Sequence, residues 1–239
     1  MRAPPDTVNV LGTITKMNFL SGLMGHAKQR ARERDQALSL YVASVEQARR
    51  PGFYTDCGIA DTLDGRFDLI VLHVYLVVRT LRPAGEQGKR LADLIFKIMM
   101  DDMDMNLREM GVGDLSVGKR VKAMARAFYG RAAAYDAALD GEVAPGAAVE
   151  DGTEKGTEEG TEEGTEEGDK TGLEAALSRN IYGAETPESG QLARLTDYVR
   201  RALVALERQP ADTLLTGDVA FPPAPQEPAV AGPQSGAAE

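Results

Sequence analysis

A run of mainly apolar residues, from Phe67 to Val78, limits the folds open to this chain more than any other feature. Only Asp68 and His73 interrupt it, and it falls short of the roughly 20 residues needed to span a bilayer. Its β-branched residues are common in strands, but the segment from Leu63 to Leu81 has no internal turn signal and is long enough to favour a helix. Because this helix is apolar on nearly all sides, it should be buried and central. The run therefore predicts a core helix and no transmembrane segment.

Other segments with apolar residues at helical spacing flank this central helix. Glycine, proline and capping residues mark their ends. The sequence therefore predicts an all-α protein, a compact bundle of about six helices with a disordered acidic insert and disordered termini. The flanking helices are predicted at Asp35–Pro51, at Lys89–Met110, from Ser116 to about Leu139, at Thr171–Gly183 and at Ser189–Gln209. The helix that begins at Ser116 has one apolar stripe, formed by Val117, Val121, Met124, Phe128, Ala132, Tyr135 and Leu139.

The charges are spread unevenly and divide the chain into five predicted parts. The formal net charge is −10, but the first 34 residues carry 6 basic and 2 acidic side chains. The segment with GTEE repeats cannot form a core, since it has no apolar side chain over much of its length. The overall acidity therefore does not exclude an anionic partner for a local basic face. The parts are a basic, partly disordered arm (1–34), a helical domain in two pieces (35–140 and 172–221), an acidic low-complexity linker (141–171) and a disordered Pro/Ala-rich tail (222–239).

Residues that could support catalysis or bind metal are scarce. Cys57 is the only cysteine and there are two histidines, so neither a zinc site of usual spacing nor an internal disulfide can form. Asp101-Asp102-x-Asp104 could hold Mg²⁺ for a diphosphate substrate, which leaves a helical enzyme on an isoprenoid diphosphate as one alternative. Helix phasing turns Asp102 about 100° away from the other two. We therefore predict a protein without catalytic residues, metal or cofactor.

Helix phasing also places three polar side chains among apolar ones. Asp102 and Glu109 project toward the apolar face of their helix, and His73 lies within the buried helix. A buried acid needs a partner, and His73 could supply it. The alternatives for His73 are a general base and a core histidine with satisfied hydrogen bonds.

Two irregular segments are the predicted partner-binding surfaces. The loop Pro51–Gly65 and the turn Gly111–Gly118 contain many polar residues and glycines, although the same ion pairs could instead fix the geometry between helices. A basic strip on the following helix could meet RNA phosphates, anionic lipid or an acidic peptide, or be only solvated. The candidate residues are Phe53, Tyr54, Asp61, Asp64, Arg66, Asp114, Lys119, Arg120, Lys122 and Arg126.

Two features suggest contact with apolar or anionic surfaces. Apolar residues from Phe19 to Met24 lead into a basic cluster, a pattern that suits either a short helix on an anionic membrane or a mobile basic arm. Methionines are abundant from Met99 to Met110, where they could bind apolar segments adaptably or fill the core.

Three strings resemble, in this order, the ubiquinol-cytochrome c chaperone family: RRPGFYTDCGIADTLDGRFDLIVLHVYLVVR, MMDDMDMNLREMGVGDLSVGKRVKAMARAFYGRAAAYDAAL and LSRNIYG. Phrases such as DTLDGRFD and LREMGVGDLSVGKR are too long and specific to follow from helix periodicity. The resemblance covers residues 38–139 and 173–206 and leaves out the acidic insert and both ends.

The resemblance implies an all-helical, non-catalytic assembly factor for ubiquinol-cytochrome c reductase that acts on newly made cytochrome b. It also implies association with the ribosome and with a small partner assembly factor, as in mitochondrial members. The expected location is the cytoplasm, peripheral on the inner membrane, or the matrix side in a mitochondrion, with the N-terminal arm on the membrane surface and no role for DNA. An RNA- or ribosome-binding helical module remains the main alternative.

Overall fold

The apolar run forms a buried helix, α3, which spans Leu63–Leu81 in the computed structural model of the chain. The structure describes residues 10–143 and 172–226, with side chains described over 27–141 and over 172–226 except Ala211. Every residue of α3 from Leu69 to Val77 is buried. The prediction of a central buried helix is therefore confirmed.

The other helices surround α3. α1 and α4 pack against each other and against α3, α5 packs against α4 and α6, and α7 packs against α3 and α6. The described residues contain no strand, which confirms the all-α prediction. The helices are α1 (Val10–Ala48), α2 (Gly52–Thr55), α4 (Gly85–Glu109), α5 (Asp114–Val143), α6 (Gly172–Leu177), α7 (Gln191–Glu207) and α8 (Ala211–Leu215), with a 3₁₀ turn at Arg82–Ala84 and a π-helical turn at Ser178–Tyr182.

The first helix is much longer than the sequence pattern predicts. It begins at Val10, so residues 10–34 continue α1 where we predicted a partly disordered arm followed by a helix from Asp35. No proline lies between Pro5 and Pro51, and a helix that has formed extends readily through residues that do not break it. The predicted membrane-binding side chains, Phe19 to Met24, lie outside the described side chains.

The last described residues also differ from their prediction. Residues 222–226 were assigned to a disordered tail, but Gln47 donates a hydrogen bond to the Pro222 carbonyl at 3.0 Å and Pro225 is buried. A side chain on Gly52 would meet the Pro225 carbonyl oxygen at 1.9 Å. Proline lacks an N–H donor but keeps a carbonyl acceptor, so this segment can still be fixed by donors from other elements. The remaining tail and linker residues, 227–239 and 144–171, lie outside the described residues.

The start of α3 gives a first testable prediction. The Thr62 hydroxyl accepts a hydrogen bond from the Gly65 N–H at 3.2 Å, which caps the helix. Replacing Thr62 by alanine should lower the free energy of unfolding by about 1 kcal/mol, measured by urea unfolding. Thr55→Ala is the matched control, since Thr55 is exposed and caps no long helix. Equal losses in the two variants would contradict the capping role.

Candidate partner-binding site

A groove opens at one end of the bundle, where the end of α1 and the following loop meet α3, α4 and α5. Its volume is about 700 Å³. Apolar side chains from three helices form much of its surface, and Leu63, half exposed at 50%, stands among them. The lining residues are Arg49, Pro51, Tyr54, Thr55, Asp61, Leu63, Arg66, Phe67, Ile70, Asp102, Met103, Asn106 and Met124. The groove therefore combines an apolar interior with charged and polar groups.

The charged groups of the loop form an exposed ion pair. Arg66 Nε donates to Asp61 Oδ1 at 2.6 Å, and its second nitrogen donates to Oδ2 at 3.1 Å. The hydrogen bond from Arg66 lowers the pKa of Asp61. An exposed pair of this kind adds little to stability, but it fixes two side chains of the groove in a defined orientation.

Asp102 reaches the groove from α4 and is half-buried. Its Oδ2 accepts a hydrogen bond from the Tyr41 hydroxyl at 2.6 Å. Burial, followed by the hydrogen bond to Asp102, raises the pKa of Tyr41 above its ordinary range. The partner suggested by the sequence, His73, lies elsewhere in the core and makes other hydrogen bonds. Asp102 has a hydrogen-bond partner, as predicted, but this partner is Tyr41 of α1 and not His73.

Glu109, the second acid predicted among apolar residues, is exposed. It is the last residue of α4, and the turn that leads to α5 follows it. The apolar face of a helix is buried only as far as neighbouring elements cover it. The prediction for Glu109 was therefore wrong.

The loop is anchored from below by Phe53, the only described residue of α2 that is buried. Its ring makes edge-on contacts with the rings of His73 at 5.1 Å and Tyr198 at 4.8 Å, between ring centres. Phe53 is thus unable to face a partner and instead holds the loop to the core. Its neighbour Tyr54 lines the groove and donates a hydrogen bond to the Ala48 carbonyl at 3.1 Å.

His73 is a buried histidine with both ring nitrogens in hydrogen bonds. Nδ1 lies 2.7 Å from the Leu69 carbonyl oxygen and Nε2 lies 2.9 Å from the Tyr198 hydroxyl. Burial lowers the pKa of His73 to about 4. Because a carbonyl can only accept, the proton of the neutral ring lies on Nδ1 and Nε2 accepts from Tyr198. His73 is therefore a structural core residue without access to a substrate.

The other predicted residues lie outside the groove. Asp64 is exposed in the first turn of α3, and Asp114 forms an ion pair with Arg108. The turn from Gly111 to Gly118 contributes no lining residue. The four basic residues of the strip, Lys119, Arg120, Lys122 and Arg126, are exposed on α5. Of the two predicted surfaces, only the loop is part of the groove.

The acidic cluster on α4 is divided between different partners. Asp102 accepts from Tyr41, whereas Asp104 accepts from Arg108 at 2.6 Å. Asp101 is exposed, and within the described ranges no three candidate ligands come together as a metal site. Burial also raises the pKa of the Cys57 thiol to about 12, which disfavours the reactive thiolate.

Sequence reasoning did not assign two groove residues to a binding role. Met124 was placed on the apolar stripe of α5, and Leu63 was noted only as the start of α3. Met103 belonged to the methionine-rich helix, for which adaptable binding of apolar segments and core filling were both predicted. Each carried a helix-phase signal, but that signal does not show where the cover between two helices is incomplete. The groove depends on how helix ends meet, which is a tertiary property.

Comparisons with known proteins agree on one family. The model described as "Ubiquinol-cytochrome C chaperone" matches residues 55–148 and 156–221. The mouse and human proteins named "Ubiquinol-cytochrome c reductase complex assembly factor 1" are each 26% identical, over 222 and 223 residues, or 92% of this chain. The chain spans 66% of the length of each of these relatives.

A solved structure supports the same grouping. The crystal structure of the Cbp3 homolog from Brucella abortus matches with a TM-score of 0.65 and 28% identity, covering 84% of this chain and 97% of that one. Within the described residues, no helix has both the length and the apolar character to cross a membrane.

Proposed function

This chain belongs to the ubiquinol-cytochrome C chaperone family, and from that premise we propose that it assists assembly of the ubiquinol-cytochrome c reductase complex by binding newly made cytochrome b. The family is one of chaperones and not of enzymes, in agreement with the non-catalytic prediction. The observation that carries the proposal is the groove, whose apolar interior is open to solvent between three helices and a loop.

The size of the groove favours an apolar helix face as the bound element. Pockets of about 300–1,000 Å³ accommodate ligands of small-molecule size, so the groove takes a few side chains and not a whole helix. An apolar face presenting side chains one turn apart fits such a depression. Newly made membrane helices expose side chains of this kind before they are assembled.

The side chains at the base of the groove suit a changing set of contacts. Met103 and Met124 come from neighbouring helices, and unbranched, polarisable thioether side chains adapt to different apolar surfaces. A chaperone has to bind an incompletely folded client and then release it, so adaptable packing is more useful here than a rigid complementary fit. The exposed pair Asp61–Arg66 adds an orienting polar edge.

Additional partners are proposed on the family resemblance alone. These are the ribosome and a small partner assembly factor. A position at the membrane surface, on the cytoplasmic or matrix side, is proposed on the basic N-terminal residues and the membrane nature of the client.

Replacing Leu63 by aspartate tests the groove directly. An ionised carboxylate placed against apolar client surface should weaken co-purification of cytochrome b about tenfold, equivalent to about 1.4 kcal/mol, and lower the b-type haem in membrane spectra. Val204→Asp is the matched control, because Val204 is similarly exposed (45%) on α7 and lies outside the groove. Both variants should keep the wild-type unfolding midpoint.

Two outcomes would count against the proposal. Equal loss of cytochrome b binding in Leu63→Asp and Val204→Asp would show that the groove is not the binding site. It would not exclude cytochrome b as the client. Normal cytochrome b levels after deletion of the gene would contradict the client itself. Haem spectra of membranes distinguish these cases.

A further inference from the structure

Three of the four residues of the basic strip on α5, Lys119, Lys122 and Arg126, form a basic stripe along its solvent face. The fourth, Arg120, is exposed beside the stripe. Spacings of three and four residues place the three side chains on one face of the helix, and all three are exposed. Leu115, 93% exposed, precedes them on the same face and Tyr129, 60% exposed, follows them. Since the opposite face of α5 is packed into the bundle, the basic stripe is available to solvent along about 10 Å of helix.

The basic stripe differs in its pairing from three other arginines of the bundle. Arg79 and Arg82 both bind Asp136, and Arg131 binds Asp68 at 2.6 Å. Among the described residues no carboxylate lies within ion-pair distance of any member of the basic stripe. Three neighbouring cations without a local counter-charge repel one another and attract an anionic group within about 10 Å.

The same helix leads directly into the most acidic part of the chain. Residues 144–171 follow α5 and contain ten acidic and two basic side chains. The described chain resumes at Gly172, where an added side chain would lie 3.5 Å from the Ala138 Cα atom. The residues on either side of the acidic segment, Val143 and Gly172, therefore both lie at the last turns of α5.

The length of the acidic segment is sufficient to reach the basic stripe. Along α5, Lys119 lies about 36 Å from Val143 and about 29 Å from Ala138, at 1.5 Å per residue. A path out to Lys119 and back is thus about 65 Å, whereas 28 extended residues span up to about 95 Å. Glu158 and Glu159 lie near the middle of the segment, where the reach is greatest.

We propose that the acidic segment 150–169 occupies the basic stripe of α5 within the same molecule. The interaction is electrostatic and consists of interchangeable contacts, because the GTEE repeats offer similar carboxylates every four residues. Tethering at both ends gives the carboxylates an effective concentration on the order of millimolar at the stripe. The proposal does not depend on the identity of the client.

An external anionic membrane is a weaker occupant for the same face. The acidic segment next to this face is repelled by an anionic surface, and the membrane has to displace carboxylates that are already tethered nearby. The apolar neighbours Leu115 and Tyr129 have no counterpart in the acidic repeats and stay uncovered. Lipid binding is therefore an outcome to be tested against the proposal.

Carbodiimide coupling of the full chain, followed by peptide mass spectrometry, tests the contact. Coupling of linker carboxylates to Lys119 or Lys122 should exceed coupling to Lys89 at least about threefold, and 0.5 M NaCl should remove the excess. Lys89 is an exposed lysine of α4 whose near charge partner is Glu86. The variant Arg120→Gln/Arg126→Gln keeps both lysine amines but lowers the local charge, so its coupling should fall about threefold. Equal coupling at all three lysines, or no effect of salt, would overturn the proposal.

Vesicles of phosphatidylcholine with phosphatidylglycerol provide the second measurement. A variant with all ten linker carboxylates changed to amides should bind these vesicles at least about threefold more tightly than wild type. The gain should disappear when Arg120→Gln/Arg126→Gln is added to this variant. A gain caused only by the lower negative charge of the linker would persist in the combined variant. If the neutral linker gives no gain, or a gain that survives the arginine changes, the acidic segment does not occupy the stripe.

Discussion

Phe53→Ala is expected to lower the free energy of unfolding by about 3–5 kcal/mol, because it removes a ring that is fully buried. The ring contacts His73 and Tyr198 edge-on, so the variant loses aromatic contacts as well as buried area. α2 is a single short helix held between two loops, but its surroundings belong to the rigid core. Little of the cavity can therefore be filled by relaxation.

Loss of the Phe53 ring should also disturb the loop that lines the groove. The Phe53 carbonyl accepts a hydrogen bond from the Ile59 N–H at 3.2 Å, which ties α2 to the rest of the loop. Urea unfolding followed by far-ultraviolet circular dichroism measures the loss. Tyr54→Phe is the control, since it removes only the hydrogen bond to Ala48 and should cost about 1 kcal/mol. A loss below about 1 kcal/mol in Phe53→Ala would mean that α2 is not an anchor.

The parts of the fold that the sequence predicts are those encoded by local periodicity. The apolar run gives α3 its bounds from Leu63 to Leu81, and the apolar stripe of α5 is buried at Val117, Phe128 and Tyr135 as expected. Periodicity predicts a segment when its own side chains decide its conformation. These two helices satisfy that condition.

Segments fixed by distant partners are not predicted in this way. The Gln47 side chain holds Pro222 across 175 residues of sequence, and no pattern near Pro222 signals that contact. The early start of α1 is a related case, because helix propagation from a strong segment needs no apolar stripe of its own. α2 is too short for any periodicity to be visible.

Helix phasing predicted which way the side chains of the site point, but not which residues they contact. It predicted correctly that Asp102 points away from the solvent face of α4, yet it could not show that Tyr41 of α1 lies opposite. His73 was equally well placed on the buried helix but meets Tyr198 from α7 instead. Which helix covers which face is decided by tertiary packing, and one sequence does not contain it as a local signal.

His73 should make the stability of the protein depend on pH in a defined window. Its imidazole is fully buried and its pKa is about 4 in the folded chain, against 6.5 in a solvated histidine. Between these values the unfolded chain binds a proton that the folded chain does not. The stability that comes from keeping His73 neutral is therefore fully present above pH 6.5, and it is lost as the pH falls from 6.5 to 4. A pKa lowered from 6.5 to about 4 corresponds to about 3 kcal/mol in the free energy of unfolding.

The hydrogen bonds of the ring add a geometric reason. The Tyr198 hydroxyl donates to Nε2 and accepts from the Gln47 amide at 3.1 Å. A protonated Nε2 would present a second donor to this hydroxyl, which would have to turn its own hydrogen elsewhere in a closed aromatic pocket. Burial remains the larger cause, since it removes the water that would solvate an imidazolium.

The expected result is that wild type loses about 3 kcal/mol more stability than His73→Gln between pH 7.5 and pH 4, measured by urea unfolding at each pH. Glutamine keeps a donor and an acceptor but does not titrate. Asp68 acts in the opposite direction, because burial raises its pKa to about 6, but its contribution is common to both proteins and cancels in the comparison. Parallel pH profiles for the two proteins would contradict the prediction. Should His73→Gln fail to fold, NMR of the wild-type ring decides instead, since a His73 imidazole that becomes protonated near pH 6.5 would be incompatible with the closed site.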